Sequence, residues 1–185
     1  MIVSVFGSSA TRPGDLEYQD AVRLGLLLAQ SGLTVANGGY SGVMEAVSAG
    51  ARQGGGHVIG ITAPTVFPNR SGANPHVSEE RPEPTITERI HRLVAVSDAT
   101  ITLPGNIGTL TEFVMAWNVN FLAPLSGAPQ RLQVAVGPKW PRLVAFLADE
   151  FGADPSLVTC VDTVEEASRL VADRLRNPGK PQSSG

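Results

Sequence analysis

A single cysteine, Cys160, stands in this chain. It excludes an internal disulfide and any metal site built from several thiolates. Lysine is nearly as scarce, with only Lys139 and Lys180 present, and neither completes a Gly-x-x-x-x-Gly-Lys phosphate loop. No apolar run approaches the ~20 residues of a membrane-spanning helix. The opening stretch, Met1 to Phe6, is too short for a signal sequence and lacks its basic start. Positive charge is not in excess: 14 Lys and Arg against 17 Asp and Glu give a net charge of −3 and a pI near 5.6. That balance argues against a nucleic-acid polymer as partner. A cytoplasmic location without membrane contact is the expectation. Also missing is the Gly-x-Gly-x-x-Gly dinucleotide fingerprint with its acidic residue ~20 positions on. Ser8 and Ser9 lack the Gly-x-Ser-x-Gly elbow of a serine hydrolase. His57 and His76 have no metal-ligand spacing and read as structural. No metal and no cofactor are expected.

What is present is ordinary globular material, with 42% hydrophobic and 17% charged residues over 185 positions. Residues 1–176 read as one domain. Asn177 to Gly185, rich in Pro, Gly and Ser, reads as a disordered tail. Short β-branched runs alternate with helical periodicity. Strands are expected at Met1–Phe6, Leu33–Ala36, His57–Ile61, Asp98–Leu103, Leu132–Val136 and Leu157–Val161. Helices are expected at Leu16–Ser31, Val43–Gln53, Thr85–Ser97, Ile107–Leu122, Pro141–Phe151 and Val164–Arg176. This alternation implies right-handed crossovers and an α/β, Rossmann-like, doubly wound parallel sheet with helices on both faces.

Three strand ends carry small residues: Gly7, Ser8 and Ser9; Gly38, Gly39 and Gly42; and Pro104, Gly105, Asn106, Gly108 and Thr109. In an open parallel sheet these ends share one edge, where ligands bind. The last two lead into helix N-termini, whose free N–H groups and positive dipole suit an anion such as phosphate. A mononucleotide or sugar phosphate fits this pattern. One turn into the later helix, Glu112 has the wrong charge to hold phosphate, so it is a candidate to act on what the phosphate carries. On the Thr85–Ser97 helix, Arg89 falls inside the apolar arc of Ile86, Ile90, Leu93 and Val96. A guanidinium there needs an anionic partner. Ala63 to Pro84 reads as one long irregular stretch with five prolines, a candidate mobile lid at the ligand edge.

Taken together, Val3–Ser9, Gly38–Met44, Arg89 and Pro104–Glu112 resemble the LOG ("lonely guy") phosphoribohydrolases. The family pattern is Pro-Gly-Gly-x-Gly-Thr-x-x-Glu, with an arginine fifteen residues before its proline. Pro104, Gly105, Gly108, Thr109, Glu112 and Arg89 match it, while Asn106 and Asn37 replace family glycines. Ile90 stands where the family often has Lys. The run Gly42-Val-Met-Glu-Ala46 is similar to a related group that includes molybdenum-cofactor carriers, which bind without hydrolysing.

The resemblance implies hydrolysis of the N-glycosidic bond of a nucleoside 5′-monophosphate, of cytokinin or AMP type, to free base and ribose 5-phosphate. It implies Glu112 and Arg89 as catalytic residues. Gly7, Ser8, Ser9, Gly38, Gly39, Gly42, Pro104, Gly105, Asn106, Gly108 and Thr109 would hold phosphate and substrate. The alternative is a non-catalytic nucleotide or molybdenum-cofactor carrier of the same fold. Relatives have also been labelled lysine decarboxylases, but that chemistry needs pyridoxal phosphate on a lysine, and this chain is poor in lysine. A homodimer is expected, because the Ile107–Leu122 helix is apolar on two sides. Its main face is read as Ile107, Leu110, Phe113, Val114, Trp117 and Phe121, with Met115 and Val119 on the flank.

Overall fold

The short apolar runs form strands whose side chains are buried on both sides of a sheet, the pattern expected of parallel strands covered by helices. The computed structural model describes residues 1–70 and 72–177. Its strands are β1 (Ile2–Phe6), β2 (Thr34–Asn37), β3 (Val58–Thr62), β4 (Glu79–Pro82), β5 (Ala99–Thr102), β6 (Leu132–Val136) and β7 (Thr159–Val161). Its helices are α1 (Leu16–Gln30), α2 (Val43–Gln53), α3 (Ile86–Ala95), α4 (Ile107–Leu122), α5 (Lys139–Phe151) and α6 (Val164–Arg176). The strand order is β4-β3-β2-β1-β5-β6-β7, and every pair is parallel. The fold is an α/β Rossmann-like sheet.

Two layers cover it. Leu24 and Leu28 of α1, Val43 and Val47 of α2 and Val171 of α6 pack with Val3, Val5 and Val35 on one face. On the other, Leu93 of α3 and Ala116 of α4 meet Phe6, Ala36 and Ile61. Phe113 and Trp117 of α4 join Trp140 and Val144 of α5 over Ala135.

The chain steps outward from β1 to β4, then returns to place β5 on the other side of β1. In register, Val3 lies between Val35 and Ala99. The carboxyl ends of β1 and β5 therefore flank the point where the winding reverses, and there a crevice opens. The two loops that leave these ends are tied together: the Ser8 N–H donates to the Pro104 carbonyl at 3.3 Å.

Three expectations need correction. The stretch from Ala63 to Pro84 is not irregular throughout, since Glu79–Pro82 pairs with Ile59–Thr62 as an edge strand. The inner face of α4 is turned from the one expected. Phe113, Ala116, Trp117 and Asn120 are buried, while Ile107, Val114 and Phe121 are exposed. Asn120 can face inward because its amide is satisfied: it donates to the Arg131 carbonyl at 2.8 Å and accepts the Arg131 N–H at 3.0 Å. Finally, α5 begins at Lys139 rather than Pro141, with Pro141 inside its first turn, where a missing N–H costs nothing. The expected tail lies, after Asn177, outside the described residues. Among the described residues, no helix is long and apolar enough to cross a membrane.

Candidate active site

The site begins at the N-terminus of α4. Asn106 is its N-cap, and its side chain accepts the Gly108 N–H at 3.1 Å. Its carbonyl accepts the Leu110 N–H at 3.0 Å. Asparagine favours this position for that reason. The cap also narrows the anion cradle expected from Gly105 to Thr109, because the Gly108 donor is already engaged. Thr109 is buried, and its hydroxyl has no hydrogen-bond partner. Gly105 gives it room: a Cβ there would lie 2.1 Å from the Thr109 Oγ1. A buried unsatisfied hydroxyl costs about 1–3 kcal/mol, and it is a ready contact for a ligand.

Arg89 reaches the same place from α3. The helix starts with a Thr85 N-cap, its hydroxyl accepting the Glu88 N–H at 3.2 Å and donating to the Glu88 carboxylate at 2.7 Å. That start turns Arg89 inward and leaves Arg92 outside, paired with Glu83 at 2.8 Å. Arg89 is only 6% exposed. Its Nε donates to the Ile61 carbonyl at 2.8 Å, and its Nη2 donates to the Gly38 carbonyl at 3.2 Å and lies 3.7 Å from the Met44 sulfur. The remaining Nη1 points at Glu112 Oε1 across 3.9 Å. At that separation the two charges attract without a direct hydrogen bond.

Burial dominates both partners. It pushes the Glu112 carboxyl up to about 7, against the opposing pull of Arg89. It pushes the Arg89 guanidinium down, with Glu112 opposing. Glu112 is thus a carboxylate poised near neutrality, in the range where an acid or base is most effective.

The Gly38–Gly42 turn meets the Gly7–Ser9 loop at close range. Gly42 has φ +74°, and a Cβ there would sit 2.4 Å from the Ser8 carbonyl. That same carbonyl accepts the Val43 N–H at 2.8 Å, so the first donor of α2 is engaged within the protein. This contact takes one of the donors of the expected second anion-binding helix end. Asn37 orders the turn, accepting the Gly39 N–H at 2.7 Å and donating to Ser48 at 2.9 Å.

Arg89, Glu112, Gly7, Ser9, Gly38, Asn106, Gly108 and Thr109 line a shared cavity of about 170 Å³. Ser8, Gly39, Gly42, Pro104 and Gly105 are not in its lining, and Pro104 and Gly105 line a neighbouring pocket with Lys139 and Trp140. Sequence reasoning missed Tyr40, Phe67 and Arg70, which also line it. Tyr40 lies inside the second glycine motif, and the other two lie in the stretch read as a lid.

A parallel α/β sheet with a charged, glycine-shaped cavity at its switch point defines a Rossmann-like ligand-binding protein. The chain belongs to the SLOG cluster4 family, LDcluster4, whose model matches residues 1–123. It is similar to the cytokinin riboside 5′-monophosphate phosphoribohydrolase LOG of Oryza sativa subsp. japonica, with 39% identity over 104 residues, 54% of this chain and 43% of that one. The cytokinin riboside 5′-monophosphate phosphoribohydrolase of Mycobacterium marinum is 35% identical over 122 residues, 65% of this chain and 64% of its own. The chain spans about half the length of the curated relatives it matches.

Among solved structures, the molybdenum cofactor binding protein of Rippkaea orientalis superposes with a TM-score of 0.74 at 23% identity, over 94% of this chain and 96% of that one. The molybdenum cofactor carrier protein of Chlamydomonas reinhardtii gives 0.73 at 22%, over 95% and 99%. A structural-genomics target, TM1055, gives 0.72 at 27%, over 93% and 98%. The first two likenesses establish the fold alone.

Proposed function

We propose that this chain hydrolyses the N-glycosidic bond of a nucleoside 5′-monophosphate with an adenine- or cytokinin-type base, giving free base and ribose 5-phosphate. The observation that carries this reading is the buried Arg89–Glu112 pair, set 3.9 Å apart beside the α4 N-terminus and the unpartnered Thr109 hydroxyl. The names of the curated relatives support it.

In this reading the Thr109 hydroxyl and the opening turn of α4 take phosphate oxygens. Gly7, Ser9 and Gly38 leave space for ribose and base. As the C1′–N bond breaks, its electron pair leaves with the base nitrogen, which picks up a proton. The sugar becomes oxocarbenium-like. The ionised Glu112 faces that developing positive charge and accepts a proton from the water that attacks C1′. It then gives up that proton to balance the one taken by the base, so a single water supplies both the C1′ hydroxyl and the base proton. Arg89 favours the ionised form and holds the carboxylate in place. A water or a ribose hydroxyl beside the pair can bridge the two side chains. We further propose a homodimer, which would cover the exposed Val119, Phe121, Leu122 and Leu125.

The test is incubation with a panel of nucleoside 5′-monophosphates, with free base followed by chromatography. Release of base supports the hydrolase. Tight nucleotide binding without release would instead assign a carrier role, as named for two of the structural relatives.

A further inference from the structure

The phosphate site described above is short of donors. The Gly108 N–H is engaged by Asn106, and the Val43 N–H by Ser8. A 5′-phosphate is a dianion, and it needs more than one hydroxyl and part of a helix turn.

Arg70 answers that need. Its guanidinium carbon lies 4.4 Å from the centre of the Tyr40 ring and 4.6 Å from that of Phe67. The two rings meet edge to face at 5.4 Å. The platform is anchored. The Tyr40 hydroxyl accepts the Ala63 N–H at 2.8 Å, and the Tyr40 carbonyl accepts from Asn74 at 2.9 Å. Among the described residues, no carboxylate comes within ion-pair distance of Arg70. Arg89 approaches the same Tyr40 ring at 5.6 Å, and the positive charge of Arg70 disfavours that of Arg89. Two guanidiniums thus share one ring and one cavity with a single carboxylate, in a chain of net charge −3. Held beside the two rings and paired with no carboxylate among the described residues, the guanidinium keeps N–H groups for an anionic oxygen acceptor. That arrangement suits a phosphate.

We propose that Arg70 is the clamp for the substrate's 5′-phosphate, delivered by the segment after β3 and held ready by Tyr40 and Phe67. This assignment rests on the nucleoside monophosphate reading for its substrate, but its test does not require turnover.

The experiment measures affinity for ribose 5-phosphate, AMP and adenosine by calorimetry on the unmutated chain, Arg70→Ala and Arg70→Lys. Arg70→Ala should weaken ribose 5-phosphate and AMP by roughly 10- to 100-fold, the range for losing a charge-assisted hydrogen bond. Adenosine affinity should stay within about twofold, and Arg70→Lys should recover part of the loss. A second readout needs no variant. Ribose 5-phosphate, unlike ribose, should protect Arg70 from phenylglyoxal, as mapped by mass spectrometry. Equal losses for AMP and adenosine would move Arg70 to the base and overturn the proposal, as would unchanged ribose 5-phosphate affinity in Arg70→Ala. Ribose 5-phosphate binding that depends on Arg70, in a protein that releases no base, would uphold the clamp and refute the hydrolase.

Discussion

A Cβ on Gly38 would lie 1.6 Å from the Arg89 Nη2, the atom that donates to the Gly38 carbonyl. The glycine is required by the arginine and not by its own backbone, since its φ is not positive. Gly38→Ala should therefore expel the guanidinium from its three contacts and leave the turn intact. Base release should fall at least ~10-fold, as for a misplaced catalytic group, and Arg89→Ala should behave alike. Steady-state rates on both variants check this. Full activity in Gly38→Ala would mean that the position of Arg89 does not matter.

The raised carboxyl of Glu112 makes two pH predictions. Its usual value is 4.5, and burial takes it to about 7. The native state holds the extra proton between these values, so stability is fully present below about 4.5. It declines as pH rises toward 7 and is level above that. The span is worth roughly 3 kcal/mol. Denaturant unfolding across this range should show the decline in the unmutated chain and lose this component in Glu112→Gln. Activity should run the other way and rise through about pH 7 as the carboxylate ionises. Arg89 pulls the carboxyl down, so Arg89→Ala should move the rise to higher pH. A profile that peaks at acid pH would contradict the ionised role.

Thr109→Val removes the unpartnered hydroxyl and keeps the shape. Stability should hold or improve by about 1 kcal/mol, because a buried unsatisfied group is lost. Affinity for the nucleoside monophosphate should drop several-fold, and that for the bare nucleoside should not. A melting curve and a binding titration on one sample check both halves. Lower stability with unchanged affinity would make Thr109 a packing residue.

Much of this was legible in the sequence because it is local. The strand–glycine–helix turns announce themselves by residue type and spacing. Arg89 is visible as a charge inside the apolar arc of its helix. What was not legible is tertiary. Glu79-Glu-Arg-Pro82 carries no apolar alternation, since an edge strand needs none and charge and proline protect it. The inward turn of Asn120 depends on Arg131, eleven residues away across a loop. The engagement of the first α2 donor by Ser8, and the meeting of Arg70 with Tyr40, join segments that no periodicity connects.

The most direct test of the account is base release by Glu112→Gln, measured beside nucleotide affinity. The substitution keeps shape and leaves the phosphate contacts in place, so affinity should stay within a few fold. Turnover should fall by at least ~10²-fold, the low end for a positioned acid or base. Arg89→Ala combined with it should be little worse, because the two act as one unit. A Glu112→Gln variant that releases base at the unmutated rate would contradict the account.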